Sequence, residues 1–144
     1  MVTQGMLHLT YIDKAGLTVG IIISFLFGGW STVLTALLVI QILDIITGVL
    51  VALKTRELSA SQLREGLIKK FGIWVIVILG HFIDTLIFPG TGTAVTAIAF
   101  AFVGNEGISI TENLANIGLP IPETITKYLK QIKNKDGDNK IEGA

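Results

Sequence analysis

Residues 33–53 read VLTALLVIQILDIITGVLVAL, twenty-one residues that carry one charge, Asp44, and one side-chain amide, Gln41. A helix needs about 20 apolar residues to cross a hydrocarbon core of ~30 Å, so this stretch is read as a membrane span. A buried helix of a soluble domain would need a charged surface elsewhere to cover it. Only 15% of the 144 residues are charged, against about 25% in soluble domains, and the mean hydropathy is +0.70. Those charges are also segregated along the chain and leave other apolar stretches nearly empty.

Three such stretches flank the first. Residues 71–88 and 93–110 are long enough to span, and residues 16–30 are marginal. The marginal stretch could extend back toward Tyr11, lie at the interface, or re-enter. A signal-peptide reading is disfavoured by a weakly basic leader that carries Asp13 beside Lys14. The expected fold class is therefore an all-α integral membrane protein with three to four transmembrane helices plus short amphipathic helices, oligomeric in the bilayer.

The connections set an orientation. Gly28-Gly29-Trp30-Ser31 and Pro89-Gly90-Thr91-Gly92 are tight reversals without Lys or Arg. The other connection holds Lys54, Arg56, Arg64, Lys69 and Lys70, and the C-terminal region holds Lys127, Lys130 and Lys133. Loop Lys and Arg residues face the cytoplasm, so these eight are expected at the inner leaflet, with the C-terminus inside. Trp30 and Trp74 are expected as interface anchors. Ser59 with Gln62 fits a capping box opening a short amphipathic helix that leads into the third span. Beyond Pro120-Ile121-Pro122, residues 122–135 place Ile125, Tyr128, Leu129 and Ile132 at helical spacing, a basic amphipathic helix for an anionic surface. Residues 136–144 are expected to be a disordered charged tail, and their Asp-Gly-Asp run lacks the spacing of a calcium loop.

Six polar residues interrupt the apolar stretches: Gln41, Asp44, His81, Asp84, Asn105 and Glu106. A central Asp costs about 2.5–3.5 kcal/mol on insertion scales, so these groups should face other helices, other copies or a wet lumen. His81 and Asp84 are three apart and suited to share a hydrogen bond. Asp44 and His81 are expected to meet between the second and third helices. Glu106, Ser109 and Asn113 align on one face. Gly48 with Ala52, and Ala97 with Ala101, are candidate close-packing pairs.

Enzyme chemistry finds no foothold. Cys is absent, and His8 and His81 lie far apart, so no metal site or cofactor is expected. Neither Asp44 nor Asp84 has the Gly-x-Gly-Asp context of intramembrane aspartyl proteases. No nucleophile elbow, HExxH or P-loop occurs.

In order, the blocks Leu43-Asp44-Ile45-Ile46-Thr47-Gly48, Leu58-Ser59, Glu65-Gly66-Leu67-Ile68-Lys69-Lys70, His81-Phe82-Ile83-Asp84, Asn105-Glu106-Gly107-Ile108-Ser109-Ile110 with Glu112-Asn113, and Gly118-Leu119-Pro120-Ile121-Pro122 resemble the toxin-secretion/phage-lysis holin family (phage holin family 4). The resemblance covers about residues 30–133. One departure is Phe102-Val103-Gly104, where an aromatic, usually Tyr, is expected just before the Asn-Glu block. The resemblance implies a holin membrane domain over residues 1–135 that oligomerises in the bacterial cytoplasmic membrane and opens lesions for endolysin or large toxins. Its partners would be the lipid bilayer, further copies of itself, and functionally an endolysin or an antiholin, with no nucleic acid. A non-lytic small ion channel, an antiholin and a small membrane scaffold are the competing readings.

Overall fold

The computed structural model describes residues 2–134, with side chains described from 13 to 132. The expected charged tail, Lys133 as a side chain, and the side chain of His8 lie outside these limits. The chain falls into two units, residues 1–30 and 31–144.

The first unit is a single helix, α1 (Val2–Phe27). It begins well before the apolar stretch read from the sequence. Gly28 and Gly29 end it with positive φ values of 69° and 117°, a backbone region that only glycine enters without cost. Trp30 then meets the Phe27 ring edge-on, with centroids 6.0 Å apart.

The second unit contains α2 (Thr32–Thr55), α3 (Ala60–Ile87), α4 (Thr93–Asn116) and α5 (Glu123–Asn134). Among the described residues these include three helices long and apolar enough to cross a membrane, α2, α3 and α4. The helix α4 is the hub: α2, α3 and α5 each pack on it, while α2 and α3 make little backbone contact with each other.

Each end of the spans has a local cause. Ser31 caps α2 by accepting from the Leu34 amide, and Arg56 ends it in the left-handed conformation with φ 58°. Gly118, at φ 95°, closes α4, with Gly118 and Leu119 donating back to Ala115 and Leu114. Lys54 donates to the last-turn carbonyl of Asn116 at 3.1 Å, where a cation complements the helix dipole.

Two local expectations change. Residues 60–70 do not form a separate amphipathic helix; they are the first turns of α3, continuous with the span. Nothing between Ser59 and Phe71 breaks a helix, so the apolar run and its polar leader fuse. Ser59 holds the N-cap position, but its hydroxyl pairs with Ser61 rather than capping α3.

The three spans share a division along their length. One end, here the turn end, comprises Ser31 and the Phe88–Gly92 reversal; the other, the basic end, comprises residues 56–59 and Gly118. Of the buried apolar residues, Leu34, Leu37, Val77, Val95, Ala99 and Val103 lie toward the turn end, together with the buried Asp84, while Ile73 stands about 21 Å from it, near the level of the polar groups. Toward the basic end the interior is polar.

Candidate functional site: a polar cluster within the spans

Lys70 joins the three spans. It donates to Asp44 of α2 at 2.9 Å and also to Glu106 of α4. The three side chains are only 12%, 16% and 11% exposed. Asn113 of α4 completes the cluster, donating to Asp44 at 3.2 Å and to the Thr47 hydroxyl at 3.1 Å. Thr47 in turn bonds the Asp44 carbonyl. One turn nearer the turn end, the Trp74 indole donates to the Gln41 side-chain oxygen at 2.8 Å. Gln41 is 3% exposed, and its amide nitrogen has no partner among the described residues.

Helix geometry sets the depth. At 1.5 Å per residue, Asp44 and Glu106 stand about 18–20 Å from the turn end of their helices, some 10–12 Å short of the far face of a ~30 Å core. Lys70 reaches them from near that face, its aliphatic stem lying along the helix. From the sequence, Lys70 is expected among the inner-leaflet bases. The structure instead makes it the cation between two buried carboxylates, because α3 begins eleven residues earlier than the apolar run.

Asp84 has a different task. It is 4% exposed, and its two oxygens accept from the Ala94 and Val95 amides at 2.8 and 2.9 Å. Gly92, at the N-cap of α4, offers no side chain, so a carboxylate from α3 caps the helix. His81 therefore shares no hydrogen bond with Asp84, and it does not approach Asp44, which lies with Lys70. Its ring is half-buried beside Phe82 at 5.7 Å. Eleven residues, or about 16 Å of helix, separate His81 from Lys70. Asn105 is exposed.

The small residues also sort differently from their spacing. Gly48 and Ala52 line a cleft, with Asn113 3.8 Å from where a Gly48 Cβ would stand. Ala97 is exposed and Ala101 half-buried. Close packing occurs at Gly80, where an added Cβ would sit 2.7 Å from Ile98, and at Gly107, where it would sit 2.5 Å from Leu129 of α5. Trp74 is bonded inside the bundle rather than placed only as an anchor, while Trp30 remains exposed. Lys54, Arg56, Arg64, Lys69, Lys127 and Lys130 are exposed.

The cleft runs from the 58–59 connection to Asp44, Lys70 and Asn113 between α2 and α3, with Ser109 and Asn113 of α4 as its floor. Its volume is about 290 Å³.

Residues 21–134 match the bacteriophage holin family. The chain belongs to that family. Among relatives of this holin-family chain, a probable holin of Bacillus phage phi105 is 41% identical over 83% of this chain and 86% of its own length. An uncharacterized 14.9 kDa protein of Clostridium perfringens is 39% identical over 88% of this chain and 96% of its own. The uncharacterized protein YqxH of Bacillus subtilis is 39% identical over 81% of both. No solved structure matches. The holin-family match extends through α2, α3, α4 and α5 and so includes every member of the polar cluster.

Proposed function

We propose that this chain is a lytic holin. It accumulates in the bacterial cytoplasmic membrane, associates with copies of itself, and opens lesions through which an endolysin reaches the cell wall. The observation that carries this reading is the 41% identity to a probable phage holin over most of both chains. A three-span unit with ionisable groups inside the bilayer is consistent with it, since such groups face the bundle interior or water.

The basic end faces the cytoplasm in this reading. Lys54, Arg56, Arg64 and Lys69 gather there, and neither turn at the opposite end carries Lys or Arg. The helix α5 then lies on the inner side, with Ile125 and Tyr128 exposed beside Lys127 and Lys130, a combination suited to an anionic leaflet. Lateral assembly would bring polar groups left exposed by one chain, such as Asn105, against a neighbour or a lumen. Release of large toxins is the same physical event with a different cargo.

A non-lytic cation channel is the second reading, favoured by two carboxylates around a single lysine in the interior. An antiholin would share the fold and block lysis. Induced expression, alone and beside an endolysin lacking a signal peptide, separates the three. Abrupt depolarisation, with lysis only when endolysin is present, is the expected outcome. A slow ion-selective leak that retains endolysin would replace the holin reading by the channel. Unchanged growth, with delayed lysis when a second holin is co-expressed, would replace it by the antiholin.

A further inference from the structure

We propose that the cleft between α2 and α3 is a water-filled vestibule open at the basic end, ending at Asp44 and Lys70, and that the apolar layer beyond it is the dry barrier across the three spans.

Three observations converge on water as the occupant. The cleft is lined by Asp44, Ser59, Gln62, Lys70, Ser109 and Asn113 alongside its apolar residues. Asp44, Lys70 and Asn113 satisfy one another and Ser59 pairs with Ser61, but a lipid chain filling the cleft would leave the Gln62 and Ser109 side chains against hydrocarbon, a cost of roughly 1–3 kcal/mol for each unpaired group. At about 30 Å³ per molecule, the space takes on the order of ten waters. Second, the cluster holds two carboxylates and one ammonium. An unbalanced charge 10–12 Å inside a bilayer is tolerated where water reaches it. Third, the unpartnered Gln41 amide sits one helical turn past Asp44, and Trp74 fixes its orientation by occupying the oxygen. A buried orphan donor calls for a water, here one turn beyond the residues that line the cleft.

Past Gln41 the character changes. Leu34, Leu37, Val77 and Ala99 are fully buried, and Val95 nearly so. An apolar layer of this kind excludes water and can gate by dewetting. The unit is then hydrated over its inner third and dry over the rest. Opening would require wetting only the apolar layer, with the cluster already solvated.

Adjacent positions on α2 test this. Ile45 and Gly48 line the cleft, whereas Ile46 and Leu50, at closely matched depths, are 49% and 45% exposed on the outer surface facing lipid. The chain has no cysteine, so a single introduced thiol is the only one to react. A Gly48→Cys side chain fits, since its Cβ meets only Asn113 at an ordinary contact distance. Thiolate, not thiol, is the nucleophile, and a dry environment suppresses it. Inverted membrane vesicles carrying each full-length variant are treated with a membrane-impermeant methanethiosulfonate. Labelling of Ile45→Cys and Gly48→Cys, with none of Ile46→Cys and Leu50→Cys, is expected. No labelling at Ile45→Cys and Gly48→Cys would overturn the vestibule and leave the holin reading intact. Labelling at all four would overturn the vestibule and the span of α2 together. The proposal rests on the three-span arrangement and not on lytic activity, so the two can fail separately.

Discussion

Lys70 can be a structural cation only because α3 starts at Ala60, which lets its side chain reach both Asp44 and Glu106. Removing one partner of a buried ion pair costs about 3–5 kcal/mol, because a charge is left uncompensated. Lys70→Met is therefore expected to lower the thermal midpoint in detergent and the amount of protein in membranes. Adding Asp44→Asn and Glu106→Gln to Lys70→Met should recover most of the loss. A triple variant no better than Lys70→Met would show that the lysine acts by something other than charge balance. Asp84 illustrates the opposite case: an intramembrane carboxylate whose partners are backbone amides at the start of α4, so that its charge is held by a helix terminus.

At the scale of elements, α5 depends on one close approach. Leu129 lies where a side chain on Gly107 would stand, and a glycine in a helix interior costs up to about 1 kcal/mol against alanine. The site thus trades helix propensity for contact with α5. Gly107→Leu should eject Leu129 and free α5, read as faster proteolysis between residues 117 and 134 with α2–α4 still protected. Pairing Gly107→Leu with Leu129→Ala exchanges the volumes and should restore protection. If Gly107→Leu alone leaves α5 protected, the docking does not depend on that notch.

The whole unit is polarised along its axis, apolar toward the turns and polar toward the basic end. Under the holin reading this polarity sets how easily the barrier wets. Val77→Thr keeps the side-chain shape and adds a hydroxyl to the dry layer, where an unpaired polar group costs roughly 1–3 kcal/mol. It is expected to bring forward the onset of depolarisation at equal protein level. An unchanged onset would place the barrier elsewhere, while an absent protein band would report misfolding instead.

Hydropathy alone determined the class of this protein: three helical spans, their reversals at Gly and Pro, and the bias of Lys and Arg to one end are local properties of residues 33–110. It also marked Gln41, Asp44, Asp84 and Glu106 as groups that need partners, since each interrupts an apolar run. Which partners they take was decided by tertiary structure. Register along one helix suggests His81 for Asp84, and matching mid-span position on two helices suggests it for Asp44, but a hydrogen bond depends on which helices are neighbours and how they are staggered. With α4 at the centre, Asp84 meets a helix terminus and Asp44 meets Lys70 and Asn113. Lys70 is expected at the inner leaflet because hydropathy locates the edge of an apolar run, not which groups a helix brings together across the bundle. The small-residue spacing at Ala97 and Ala101 does not correspond to close packing within the chain, for a related reason. Four-residue spacing places two residues on one face, and only packing determines whether that face is covered.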